Sequence, residues 1–481
     1  MNIREAKQQI KNTAQAYFAK EDGQYLIPFE RQRPLFLSGP PGIGKTSIMA
    51  QIADEMGVGF LSYSMTHHTR QSALGLPYIV EKEYKGQKMS VSEYTVSEII
   101  GSVYDMIEDT GIDEGILFLD EINCVSETLT PVMLQFLQYK IFGRHRLPEG
   151  WMIVTAGNPV AYNRSAREFD VVTMDRLKVM DIEPDFEAWK EYSLNTGAHA
   201  VIINYLELHK DHFYTIAYRD GERSYVTARG WSDLSDMIQA YEKLQIDVDE
   251  EMICQYIHDQ NIAASFYAFF ELYQKYRKTY PVLKILHGKA DDEIVRMAEN
   301  APFDERLTVL KMLEEEPFQD MASVMQKYNA FRILHPMLKN WKENGSIENE
   351  VQALRQQQYR DERRGILTKE KRKEYDLILS FLEHVSQFDT AKIQFQKMVS
   401  VNNQKAEEIK EELENLFSFV EKAWHDGPQM LILVTDMTVN ESTALFLAKY
   451  GCDSYFKHYQ KLNLEQTRSS IQKEILEIET D

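Results

Sequence analysis

Gly39, Pro40, Pro41, Gly42, Ile43, Gly44, Lys45 and Thr46 fill the eight-position template of a phosphate-binding loop, and Ser47 opens the helical run behind it. Glycines in such a loop let backbone N–H groups turn inward around phosphate oxygens, while the following helix presents the positive end of its dipole to the same charge. Lys45 then bridges the β- and γ-phosphates of a nucleoside triphosphate, and Thr46 ligates Mg²⁺. A second constellation is Asp120 and Glu121, which end the apolar run Ile116-Leu-Phe-Leu. Two carboxylates there divide two tasks: Asp120 takes the metal through its water shell, and Glu121 polarises the water that attacks. Asn158 follows a third apolar run, Met152-Ile-Val-Thr-Ala-Gly. Its amide could orient that water or touch the γ-phosphate. Asn-Pro is also a common turn opener, but its place after the acidic strand favours the functional role.

These residues need a scaffold that delivers them to one edge. Between residue 33 and about residue 180 short apolar runs alternate with helical stretches, the pattern of a parallel sheet flanked by helices. The expected strands are residues 35–38, 59–63, 115–119 and 151–156, and ligands of open α/β sheets bind at the C-terminal ends of such strands. Residues 76–95 break the pattern with short β-like runs either side of Lys85-Gly86-Gln87, which reads as an inserted hairpin. The fold class expected is therefore α/β, a P-loop NTPase core over residues 1–181, followed by a smaller helical lid over 182–280. Residues 281–481 read as a mostly α-helical C-terminal region for docking a partner. Its charge runs, Glu314-Glu-Glu and the basic cluster over 360–373, read as solvated helix faces. Met430-Leu-Ile-Leu-Val-Thr reads as one buried strand, followed by a helix that Asn440 caps.

The order of motifs resembles the AAA+ ATPases, and within them the MoxR-like branch, over roughly residues 30–275. Leu119-Asp-Glu-Ile-Asn123, Thr155-Ala-Gly-Asn-Pro159, Asp175-Arg-Leu177 and Val226-Thr-Ala-Arg-Gly230 look like that branch's Walker B, sensor 1, arginine-finger region and sensor 2. Ala228 stands where relatives often have Pro, and Leu177 where Phe is common. The resemblance implies ATP with Mg²⁺ and a homo-oligomeric ring, commonly a hexamer, whose nucleotide sites lie between subunits. Arg176 is the finger it points to, with Arg164 and Arg167 as competitors, and pairing of Arg176 with Asp175 or Asp181 as the plain alternative. Arg229 would reach the γ-phosphate of its own subunit. The resemblance further implies a chaperone-like remodelling role on a client protein, commonly with a von Willebrand factor A-type (VWA) partner.

The bulk properties set limits on these readings. A chain of 481 residues is expected to form about three folded units. A net charge of -21 disfavours coating nucleic acid, because that affinity comes from Lys and Arg neutralising phosphates. A nucleic-acid motor, or a scaffold gated by nucleotide, stays as the rival reading. Cys124, Cys254 and Cys452 lack metal or disulfide spacing, which suits reduced thiols in the cytoplasm. No apolar run approaches the ~20 residues of a bilayer span. His67-His68 reads as polar loop. ATP rather than GTP rests on the resemblance.

Overall fold

Continuous apolar runs become strands where a sheet is buried on both faces, since no residue then has to meet water. In the computed structural model, which describes residues 1–219, 222–385 and 387–461, five strands form one sheet, with the three central ones of this kind and the two outer ones partly exposed. They are β1 (Leu35–Ser38), β2 (Gly59–Ser64), β3 (Gly115–Asp120), β4 (Trp151–Gly157) and β5 (Lys178–Asp181). They pair in the order β5-β1-β4-β3-β2, all in parallel. β4 is buried along its whole length, as is β3 up to Asp120. β5 is the strand that the apolar runs do not announce: it lies at the sheet edge, and only Met180 of its residues is buried. Trp151 fixes the start of the sheet. A Cβ on Gly115 would stand 2.7 Å from its ring, and one on Gly59 3.0 Å, so both glycines make room for the indole.

The inserted hairpin pairs Pro77–Tyr84 with Gln87–Tyr94 in antiparallel register. Lys85 and Gly86 form its two-residue turn, both left-handed at φ 50° and 81°, which matches the right-handed twist of the flanking strands.

The chain divides into two units. The first contains Met1–Ala188 and, from far along the chain, Gln352–Arg372. This returning segment corrects part of the basic cluster over 360–373, which is not simply a solvated face. Arg363 Nε donates to Asp109 Oδ2 at 2.8 Å on the helix Glu98–Thr110, and Lys371 pairs with Asp54 on the helix Lys45–Met56. Arg364 Nη2 donates to the Val58 carbonyl at 3.2 Å, and Ile366 is buried beside it in sequence. The segment thereby ties together the end of the helix behind the phosphate loop and the start of edge strand β2.

The second unit takes Trp189–Val351 and the described residues from Lys373 onward. It is helical apart from the hairpin Thr215–Arg219 with Glu222–Val226, and two long helices, Phe303–Asn344 and Phe388–Trp424, supply much of its core. Residues 430–435 are not a strand. They lie in the helix Pro428–Val439, whose buried positions 429, 430, 433, 434, 436 and 437 follow the helical period. A short apolar run does not by itself distinguish the two states, and Pro428 starts the helix. Asn440 Oδ1 accepts from Thr443 N at 3.0 Å and caps the next helix. Glu314 is also buried rather than solvated. It meets Lys311 at 3.1 Å, and Lys311 pairs in turn with Asp436. Burial pushes the Glu314 carboxyl above the usual carboxylate range. Among the described residues no single helix is long and apolar enough to cross a membrane.

Gly115→Ala, at the first residue of β3, should force the Trp151 ring to shift and destabilise the first unit by about 1–3 kcal/mol. Urea unfolding followed by Trp fluorescence measures this. An unchanged midpoint would show that the ring has space the packing denies.

Candidate nucleotide site

The loop after β1 bends back through backbone conformations that side chains disfavour. Gly42 and Gly44 take φ 76° and 90°, and Gly44 is the left-handed residue that starts the helix Lys45–Met56. Glycine is the residue that adopts these angles without steric cost. Gly39 is needed for space, because a Cβ there would lie 2.6 Å from the Ile182 carbonyl. Lys45, 8% exposed, aims its ammonium into the loop. Its Nζ donates to Gly39 O at 2.7 Å, Pro40 O at 2.8 Å and Asn158 Oδ1 at 2.9 Å. Pro41 and Ile43 complete the loop, while Thr46 and Ser47 are exposed at the start of the helix.

Thr46 Oγ1 donates to Asp120 Oδ2 at 2.9 Å, so the hydroxyl and carboxylate expected to hold Mg²⁺ already face one another. Both are hard oxygen donors, which suits Mg²⁺. That ion commonly takes one or two protein oxygens and completes its shell with phosphate and water. Among the described residues there is no group of three or more His, Cys, Asp or Glu that could hold a metal ion.

Glu121 follows immediately in a left-handed conformation, φ 55°, with its N–H donating to Asp120 Oδ1 at 2.9 Å. Ser64 Oγ and Thr66 Oγ1 both donate to Glu121 Oε2, at 3.1 and 3.0 Å. These two hydroxyls escaped the sequence reading. Ser64 is opposite Asp120 in the β2–β3 register, a neighbour relation set by strand order. The available signal was the polar series Ser62, Ser64, Thr66 at the C-terminal end of β2. Asn158 is held from behind as well: its carbonyl accepts from Asn123 Nδ2 at 2.8 Å. Gly157 leaves room for this, since a Cβ there would sit 2.5 Å from Asn123 Oδ1.

Arg176 precedes β5, at the end of the sheet away from the phosphate loop, because Lys178 is in register with Leu35 and Asp181 with Ser38. Its Nη1 donates to Gln138 Oε1 at 2.8 Å, and it pairs with neither Asp175 nor Asp181. Arg167 is exposed and pairs with Glu127 at 2.9 Å, and Arg164 is exposed. Arg229 belongs to the second unit, as the exposed second residue of the helix Ala228–Leu244, which Thr227 caps by accepting from Gly230 N at 3.2 Å.

Residues 35–158 match the family model described as "ATPase family associated with various cellular activities (AAA)". No curated protein matches the chain by sequence. Among solved structures, a RuvB mutant from Thermotoga maritima is 14% identical, covers 62% of this chain and 75% of its own, and has a TM-score of 0.28. A candidate ATPase from Cytophaga hutchinsonii is 15% identical, covers 53% of this chain and 80% of its own, and has a TM-score of 0.25. The matched segment begins with β1 and ends on Asn158, and so takes in the phosphate loop, Asp120 and Glu121: over residues 35–158 the chain is similar to the AAA family, on a parallel P-loop NTPase sheet.

Proposed function

We propose that this protein hydrolyses ATP with Mg²⁺ in a homo-oligomeric ring and uses the cycle to remodel or mature a partner protein, as MoxR-like AAA+ ATPases do. The observation that carries the reading is the convergence of Lys45, Thr46, Asp120, Glu121 and Asn158 at the C-terminal edge of β1, β3 and β4. The loop N–H groups and Lys45 bind the β- and γ-phosphates, and Asn158 steadies the ammonium beside them. Thr46 and Asp120 would hold Mg²⁺, whose charge offsets that of the phosphate oxygens. Glu121 takes the proton from the attacking water. Ser64 and Thr66 fix one of its carboxylate oxygens, so we assign them as positioning residues.

Arg176 cannot be a finger for its own site from the far end of the sheet, which supports a role at another copy's γ-phosphate. Arg229 as a sensor of nucleotide, residues 182–280 as lid and 281–481 as docking region for a client or VWA protein belong to the same proposal.

The test is steady-state ATP turnover against protein concentration. Glu121→Gln should keep nucleotide affinity and lose about 10²–10⁴ in rate, the span of general-base catalysis. Arg176→Ala subunits mixed with wild type should depress turnover more than in proportion to their fraction. A rate per subunit that ignores both concentration and Arg176→Ala would sink the ring.

The joint change Ser64→Ala and Thr66→Ala should lower turnover about tenfold by loosening Glu121, with ATP affinity within twofold of wild type. Equal turnover would reduce the two hydroxyls to surface polarity near the site.

A further inference from the structure

At the N-terminal end of β1 and β5, opposite the phosphate loop, a cavity of about 640 Å³ gathers the cationic side chains of Arg31, Arg33, Lys140, Arg146 and Arg176. Glu30 and Asp175 are its only acidic lining residues. Five cations against two acids leave a formal charge of +3, in a chain whose total is -21. Of the five, only Arg146 makes an ion pair among the described residues, with Glu30 at 2.9 Å. Arg176 is bonded to the neutral amide of Gln138. Lys140 is 3% exposed, in a left-handed conformation at φ 57°, with its Nζ donating to the Phe29 carbonyl and standing 4.1 Å over the Phe29 ring.

Cations that outnumber the carboxylates beside them repel one another, and although the four arginines are exposed, Lys140 is buried, where water screens that repulsion least. Desolvation pushes the Lys140 ammonium down to about 8. A bound anion removes this penalty. Arginine forks suit phosphoryl oxygens, which accept two parallel N–H groups at once. The volume falls within the roughly 300–1,000 Å³ of small-molecule sites.

We propose that this cleft is a second phosphoryl-binding site, in which Arg31, Arg33, Lys140 and Arg146 join Arg176 in holding a polyphosphate group. The group comes either from a free polyphosphate or nucleotide in solution, or from the triphosphate seated in the phosphate loop of another copy. The second source rests on the ring reading, and the first stands without it.

The experiment has two arms. In the first, full-length Lys45→Ala protein, with its phosphate loop disabled, is titrated with tripolyphosphate by calorimetry at low salt, alone and with Arg31→Ala and Arg33→Ala added. Loss of two charge-assisted contacts should weaken binding by at least about tenfold, and this result assigns the free ligand. In the second, ATP-dependent association of otherwise wild-type protein is followed by light scattering with and without the two arginine changes. Association that falls by at least about tenfold in apparent affinity, with no tripolyphosphate binding in the first arm, assigns the other copy's nucleotide. The proposal is overturned if the arginine changes alter neither quantity. Fluorescent ATP-analogue binding by the Arg31→Ala, Arg33→Ala protein checks that its own phosphate loop is intact. If wild type fails to bind that analogue, the ATPase reading falls while the tripolyphosphate arm still decides the cleft.

Discussion

Parallel pairing of β4 with both β1 and β3 sets the geometry on which the nucleotide site depends. Ser38 lies opposite Gly157, and Leu119 opposite Thr155. Whatever follows each strand must therefore emerge at one edge: the phosphate loop after β1, the carboxylates after β3 and Asn158 after β4. Three segments drawn from across more than a hundred residues meet without any of them needing a long or mobile reach. The contacts between Lys45 and Asn158, and between Thr46 and Asp120, are the local consequence. The same parallel order sends the residues before the strands to the opposite edge, where Arg33 and Arg176 lie.

The sheet thus separates two electrostatic environments. At its C-terminal edge, a single buried lysine and the loop's N–H groups stand beside a carboxylate pair, a balanced arrangement for a metal-bound triphosphate. At its N-terminal edge the cations outnumber the acids, and among the described residues only Arg146 has a carboxylate partner, Glu30. A net charge of -21 says nothing of this distribution, and its use against phosphate-bearing partners applies only to extended surfaces. The second unit treats buried charge differently: Lys311 stands between Glu314 and Asp436, and Lys190 reaches both Asp436 and Glu207. With three carboxylates to two ammonium groups, the raised affinity of Glu314 for its proton follows from burial. Such a network ties helices from residues 186–208 to helices from beyond residue 303 within one unit.

The phosphate loop was legible because its requirements are local. Left-handed turns at Gly42 and Gly44, a lysine at the helix start and a hydroxyl beside it are all contained in eight residues. β1, β3 and β4 were legible as apolar runs for a related reason, since burial on both faces leaves a mark on nearly every residue, and the edge strand β2 carries that mark only at Gly59 and Phe60. β5 left no such mark because it lies at an edge, and residues 430–435 were misread because a buried helix and a buried strand can share one short apolar run. Glu314 and the residues around Arg363 were read as solvated because charge alone does not reveal burial or a distant partner such as Asp436 for Lys311 beside Glu314, or Asp109 for Arg363.

What the sequence by itself determined is the chemistry available and the segments that carry it: a triphosphate-binding loop, a carboxylate pair and an amide, each on its own apolar strand. Strand order, and with it the neighbours of each group, belongs to the tertiary structure. It brought Ser64 and Thr66 to Glu121, set Gln138 against Arg176, and docked residues 352–372 on the first unit. The physical reason is that conformational preference acts over a few residues, whereas hydrogen bonds and ion pairs act through space. Any two segments can satisfy them once packing has decided which strands lie side by side.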